Sequence, residues 1–381
     1  IDKLLAEQST LQTPVARFSR EHDLHTLPPR ADTYRHLIPL DAPREGEQFA
    51  FQVELDKCTS CKACVAACHS LNGLDEHESW RDVGILEGGH EEPEWVQTIT
   101  SACHLCADPG CLTGCPVAAY EKDVATGIVR HLDDQCIGCE YCVLKCPYDV
   151  PKYSARLGIV RKCDMCHQRL ADGEAPACVQ ACPNEAIRIV KVDTAALSIS
   201  ARLGHDFLAG APNPALTIPT TRYIGRHVPA TATPSGRGAL LPAPAHRPLV
   251  AMLTLTQVGL GLFFAGLLAA SHLSLIAGAC TFMAGLAASI AHLGRPLGAW
   301  RFFLGLKTSW LSREILAFSL IPPLFALPFL SINLAPKLLL FCVMAVSAIF
   351  TSIMVYHDTG RVIWRFPATA FRFMGTAAVT T

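Results

Sequence analysis

The stretch CIGCEYCVLKCP, residues 136–147, decides how this chain reads. Its cysteines, Cys136, Cys139, Cys142 and Cys146, are spaced C-x2-C-x2-C-x3-C, and Pro147 follows the last. A loop of this form curls round one [4Fe–4S] cube and supplies three thiolates. The fourth cysteine begins the next helix and points toward the other cube of a pair. Outward from this loop the pattern recurs. Cys58, Cys61, Cys64 and Cys68 repeat the same spacing. Cys103, Cys106, Cys111 and Cys115 are spaced C-x2-C-x4-C-x3-C before Pro116. Cys163, Cys166, Cys178 and Cys182 are spaced C-x2-C-x11-C-x3-C before Pro183. These groups hold sixteen of the 18 cysteines. Zinc also takes four thiolates, typically from two C-x2-C knuckles, and a secreted scaffold would oxidise such cysteines to disulfides. Triplets at x2–x2 closed by C-P fit clusters better than either. Thiolates leave each site net negative, so backbone N–H groups and burial must stabilise it.

The rest of the composition separates two materials. The 381 residues carry a net charge of −1, with 17% charged and 50% hydrophobic residues. That excludes a disordered or collagen-like chain and gives no bulk charge for nucleic acid. Residues 1–247 hold 24 Lys and Arg against 31 Asp and Glu; residues 248–381 hold 8 against 2. Residues 1–50 read as an N-terminal extension, with a helical pattern at Leu4, Leu5, Leu11, Val15 and Phe18. Residues 51–197 read as a small repeated α+β domain. Strand-like runs at Phe51–Leu55, Gly127–Leu132 and Ala186–Val192 alternate there with cysteine loops. Residues 198–247, rich in Pro, Gly, Ala and Thr, read as a surface linker. The chain opens at Ile1 without a signal-peptide pattern, so residues upstream are expected.

Residues 248–381 read as a membrane anchor. Four uncharged apolar segments, Leu249–Ser271, Leu273–Ala291, Ile315–Ile332 and Leu338–Tyr356, are each long enough to cross a bilayer core of roughly 30 Å as a helix. Pro322, Pro323 and Pro328 predict a kink in the third. Gly259, Gly261, Gly266, Gly278 and Gly285 predict close helix packing. Four spans return the chain to the side of the cysteine domain. That side then carries Arg295, Arg301, Lys307, Arg313, Arg361, Arg365 and Arg372, against Lys337 alone on the other. The positive-inside bias places the cysteine domain in the cytoplasm.

The segments CTSCKACVAACHSLNG (58–73), CHLCADPGCLTGCP (103–116), CIGCEYCVLKCPYDVPKY (136–153) and RKCDMCHQRLADGEAPACVQACPNEAI (161–187) resemble the iron–sulfur subunit of molybdopterin oxidoreductases of the dimethyl sulfoxide reductase type. The resemblance covers roughly residues 50–195. It implies a double ferredoxin-like domain holding four [4Fe–4S] clusters. The implied ligand sets are Cys58, Cys61, Cys64 with Cys182; Cys163, Cys166, Cys178 with Cys68; Cys103, Cys106, Cys111 with Cys146; and Cys136, Cys139, Cys142 with Cys115. In relatives such as respiratory nitrate reductase one position is Trp and that cluster loses an iron; the matching residue here is Cys139. The resemblance also implies that the cluster of residues 136–142 lies nearest the membrane, and that the group at residues 58–68 faces a molybdenum subunit. AHLGRPLGAWRFFLGLKTSWLSREI (291–315) and, more weakly, MVYHDTGRVIWRF (354–366) resemble the same family's membrane anchor, so two subunits that are normally separate are fused here. Such anchors have more helices than the four that fit before Thr381.

The expected architecture is thus an α+β double ferredoxin-like iron–sulfur domain followed by an all-α transmembrane bundle. A quinol loses two protons with its two electrons, and a histidine or carboxylate can take one while an arginine holds a carbonyl oxygen. His292, Arg295, Arg313 and Glu314, at span ends on the cysteine side, are the expected quinone site. His272, His292 and His357 all stand at or beyond span ends, and no haem is expected. Cys280 and Cys342 read as small buried hydrophobes. The chain would pass electrons between a quinone pool in a prokaryotic inner membrane and a molybdopterin-containing catalytic subunit, with no substrate chemistry of its own. A hydrogenase or formate-oxidising complex is the alternative partner, and a zinc-stapled scaffold the alternative without redox function.

Overall fold

The computed structural model describes residues 31–88, 95–204, 207–236, 246–331 and 333–379, so the helical pattern at Leu4–Phe18 lies outside the described residues. In chain order the strands are β1 (Glu47–Glu54), β2 (Asp82–Gly88), β3 (Trp95–Ser101), β4 (Tyr120–Lys122), β5 (Val129–His131), β6 (Lys152–Ser154), β7 (Ile159–Arg161), β8 (Ile187–Asp193), β9 (Arg222–Ile224) and β10 (Thr233–Pro234). The chain divides into two units that interleave in sequence. Unit 1 takes residues 1–107, 123–128 and 163–235; unit 2 takes 108–122, 129–162 and 236–381.

Unit 1 is built on two sheets, ordered β8-β1-β9 and β10-β2-β3. β1 is buried on both faces from Gln48 to Phe51; β8 pairs antiparallel along Glu47–Val53 and β9 parallel along Gln52–Glu54. Val53, Leu55, Leu86, Ile99 and Ala232 form one apolar cluster. The expected linker boundary at 198–247 needs correction. Residues 222–224 and 233–234 are strands of these sheets, and the Thr220 hydroxyl donates to the His104 carbonyl at 2.9 Å. Helix Thr194–Arg202 opens on Asp193, whose carboxylate accepts from the Ala196 N–H at 2.9 Å. β1 likewise begins inside the expected extension, at Glu47.

Unit 2 joins two short hairpins, β4–β5 and β6–β7, to the apolar helices. Among the described residues four helices are long and apolar enough to span a membrane: Arg247–Ala269, His272–Ala291, Trp310–Phe329 and Leu334–His357. The first two pack closely at glycine. A Cβ on Gly259 would stand 2.6 Å from the Phe282 nitrogen, and one on Gly278 2.5 Å from the Phe263 nitrogen. Phe263, Phe282, Phe318 and Phe341 fill the bundle core. Cys280, expected to be buried, is instead exposed on the second span, and Cys342 is half-buried on the fourth. The third span is α-helical to Ser319 and continues as a 3-10 helix over Pro322–Phe329. Pro322 and Pro323 have no N–H to donate, so the α-helical ladder stops before them. A further helix, Phe366–Val379, packs against the first and fourth spans and buries Phe373; the sequence reading did not identify it.

Candidate iron–sulfur and quinone sites

Ten of the sixteen cysteines belong to unit 1 and six to unit 2. In unit 1, Cys58, Cys61, Cys64 and Cys182 line one cavity. Cys68, Cys163, Cys166 and Cys178 line another. Two of the expected ligand sets are therefore each brought round a hollow. Helix Ala63–Asn72 explains the crossing of groups. It carries Cys64 and Cys68 on one face, about 6 Å apart along the axis, and each serves a different cavity.

The loops share a backbone device. The third residue of each opening C-x2-C, namely Ser60, Leu105, Gly138 and Met165, has positive φ. So do Ala118, Asp149 and Glu185, each three residues past the last cysteine of a group that is followed by Pro. Apart from Gly138, such residues cost of order 1–3 kcal/mol each and persist only where the surroundings impose them. Here they turn N–H groups inward, forming concave nests that favour negative charge. The Gly138 N–H donates to Cys136 Sγ at 3.4 Å and the Met165 N–H to Cys163 Sγ at 3.5 Å. The Ala119 N–H reaches Cys115 Sγ at 3.2 Å, and the Ala186 N–H reaches Cys182 Sγ at 3.3 Å.

Burial pushes the Cys68 thiol up to about 12 and that of Cys166 up to about 11. It raises Cys139 and Cys142 as well, with Cys115 among the charges acting on both. At Cys136 burial is the largest influence and acts upward, but His131, held by Asp133 at 2.7 Å, together with backbone N–H groups of Val160 and Gly138 lowers the thiol overall. Thiolate ligands must lose these protons, which only a strongly positive centre can drive. A lone zinc ion requires its sulfurs within about 2.3 Å of one point. Among the described residues no three His, Cys, Asp or Glu side chains form a group that could hold one ion. The donor set fits a cube, whose ligands ring a volume.

Unit 2 gathers Cys115, Cys136 and Cys142 in one buried cluster, with Cys111 and Cys139 packed against it. Of the remaining expected set, Cys111 and Cys146 belong to unit 2 and Cys103 and Cys106 to unit 1. The loop between the second and third spans lies directly on the backbone of these cysteine loops. The Arg295 N–H donates to Ile137 O at 3.0 Å, the Gly305 N–H to Pro116 O at 3.0 Å, and the Ser309 hydroxyl to Gly114 O at 2.7 Å. At the end of the fourth span Tyr141 OH donates to Val355 O at 2.9 Å, and just beyond it Lys145 Nζ donates to Asp358 Oδ2 at 2.7 Å. The sequence reading missed Tyr141, Lys145 and Asp358, which carry no motif of their own. Three glycines set the closeness of this contact. A Cβ on Gly294 would stand 2.2 Å from the Gly158 oxygen, and one on Gly138 2.4 Å from the same atom. Gly294→Ala is expected to destabilise unit 2 by roughly 1–3 kcal/mol through overpacking. A thermal midpoint equal to that of the unsubstituted protein would refute the contact.

The four expected quinone residues separate. His292 is half-buried at the end of the second span, and its Nδ1 is buried with no hydrogen-bond partner among the described residues. Burial holds its imidazole below the usual range, with the Ser289 backbone opposing. Glu314 is 4% exposed and accepts a hydrogen bond from the Ser352 hydroxyl inside the bundle. Arg295 and Arg313 do otherwise. Arg295 Nη1 donates to Asp133 O at 2.8 Å, clamping the cysteine loops. Arg313 Nη2 donates to Lys307 O at 2.7 Å, and its Cζ lies 4.4 Å from the Trp310 ring centroid. Their guanidinium groups donate to backbone carbonyls in two separate places.

Residues 95–192 match the family model described as a 4Fe-4S dicluster domain. Over 156 residues the chain is 37% identical to the B subunit of the anaerobic dimethyl sulfoxide reductase of Haemophilus influenzae, covering 39% of this chain and 76% of that protein. It is 35% identical to the probable anaerobic dimethyl sulfoxide reductase subunit YnfG of Escherichia coli, covering 38% and 75%. It is 33% identical to the formate dehydrogenase-O iron-sulfur subunit of Escherichia coli, covering 40% and 56%.

Proposed function

The chain belongs to the family of the iron–sulfur B subunits of anaerobic dimethyl sulfoxide reductases, and on that premise we propose that it wires a membrane quinone pool to a molybdopterin-containing catalytic subunit through four [4Fe–4S] clusters. The observation that carries this reading lies in unit 2. The loop bearing Cys136, Cys139 and Cys142 is hydrogen-bonded to the inter-span loop that leads from His292, through Ile137 O and the Arg295 N–H. The clusters supply one-electron relay chemistry when bound. The chain's own residues hold them by thiolates, orient N–H groups at the sulfurs and exclude water. His292, with a neutral imidazole and an unpartnered Nδ1, is suited to accept a proton from a quinol, and Glu314 is the second candidate acceptor. The arginine-rich inter-span loops support a cytoplasmic placement of the cysteine loops at a prokaryotic inner membrane.

Iron and acid-labile sulfide assays with electron paramagnetic resonance test the proposal. The expected result is iron and sulfide in equal amounts, four centres, and their reduction by added quinol. Iron-free protein, fewer centres, or centres that stay oxidised with quinol would overturn it. The similarity to a formate dehydrogenase iron-sulfur subunit supports a second reading, in which the partner belongs to a formate-oxidising or hydrogenase complex. Mass spectrometry of the co-purifying large subunit separates the two.

A further inference from the structure

Arg81 is 2% exposed, one of the largest fully buried side chains in the protein. Its Nη1 donates to the Thr100 hydroxyl at 3.2 Å, and its Cζ lies 4.6 Å from the Phe51 ring centroid. Nε and Nη2 are buried without a hydrogen-bond partner among the described residues. A lone buried cation is costly unless opposite charge compensates it. The groups that act on this one are thiols. Arg81 itself lines the cavity of Cys68, Cys163, Cys166 and Cys178. Its partner Thr100 lines the cavity of Cys58, Cys61, Cys64 and Cys182, with Oγ1 3.6 Å from Cys64 Sγ.

We infer that Arg81 is the shared counter-cation of the two cluster sites in unit 1 and raises both their reduction potentials. The inference rests on the cluster reading proposed above. Each reduction adds one electron and no proton, so a site becomes more negative by one charge; the electron comes from the neighbouring centre, which is oxidised by one. A fixed cation close to both sites, in a medium of low dielectric, favours the reduced form of each. Arginine suits the position because it stays charged when buried and is weakly hydrated. Among the described residues its one side-chain hydrogen bond runs to a hydroxyl that also faces a cysteine.

The test is a redox titration followed by electron paramagnetic resonance on the purified complex, with iron and sulfide assayed on the same samples. Arg81→Met removes the charge and keeps the length; Arg81→Lys keeps the charge. Arg81→Met is expected to make two of the centres at least tenfold harder to reduce, about 59 mV for a one-electron couple. Arg81→Lys should move them less. Fully loaded Arg81→Met with neither centre moved, or with only one moved, overturns the inference. If Arg81→Met loses both clusters and Arg81→Lys retains them, the charge requirement stands. If both variants lose them, Arg81 serves packing and the inference fails. Parent protein without iron would instead sink the cluster reading itself.

Discussion

Cys182→Ala is expected to abolish the same cluster signal as Cys58→Ala, and to leave intact the signal lost in Cys163→Ala. Cys182 stands in sequence with Cys163, Cys166 and Cys178, so a site built group by group would fail together with them. The structure of unit 1 makes the opposite arrangement. Cys178 lies in the short helix Ala177–Gln180 and lines the cavity of Cys68, Cys163 and Cys166. Cys182 lies beyond that helix, opens a turn in which the Glu185 N–H donates to Cys182 O at 3.2 Å, and lines the cavity of Cys58, Cys61 and Cys64. The mirror-image prediction is that Cys68→Ala behaves like Cys163→Ala. Each substitution should be all-or-none for one centre, because a neutral methyl in place of a thiolate leaves an iron without its fourth ligand. Spectra that group by sequence order, with Cys182→Ala and Cys163→Ala losing the same centre, would refute the crossed sets.

Why the cysteines were legible in sequence and much of their setting was not has a physical reason. Ligand spacing is a local property. A C-x2-C-x2-C loop closes round its cargo within a few residues, so the chemistry is written in consecutive positions. The four spans are legible for the same reason, since a bilayer must be crossed by one continuous apolar run. Arg81 is written nowhere locally. It is one arginine in a polar stretch, and only β2 and β3, joined to β1 by tertiary packing, carry it to Thr100 and Phe51. Residues 217–224 failed similarly. Their Thr, Ile and Pro composition reads as linker, yet Thr221 Oγ1 lies 2.9 Å from His104 Nδ1, Thr217 pairs with the Cys106 sulfur, and β9 extends the β1 sheet. Their order comes from partners about a hundred positions away in sequence, which no periodicity records. The partners of Arg295 and Arg313 are equally unwritten in sequence: backbone carbonyls of nearby loops accept from both.

His292→Ala is expected to slow quinol-driven reduction of the clusters by roughly 10²-fold or more, the range of a lost general base, while iron content and dithionite-reduced spectra stay unchanged. The argument is geometric before it is electrostatic. His292 caps the second span just before Leu293, Gly294 and Arg295, and the Arg295 N–H bonds Ile137 O in the loop between Cys136 and Cys139. A proton acceptor at this point therefore lies near the electron acceptor in covalent and hydrogen-bonded connection. Burial keeps the imidazole neutral at pH 7 by lowering its affinity for a proton, so it is able to take one. The sign follows for pH. Because the shift is downward, the neutral form persists below 6.5, the ordinary midpoint, and the rate should fall only as pH drops beneath that value. Glu314→Gln supplies the contrast. Glutamine can still accept the Ser352 hydrogen bond and preserves the bundle, but it cannot take up a proton. If Glu314→Gln slows turnover as strongly as His292→Ala, both groups share the proton; if it is silent, His292 acts alone. An unchanged rate and unchanged quinone-analogue binding in His292→Ala would remove the histidine from the site, and the electrons would have to enter the cysteine loops by another face.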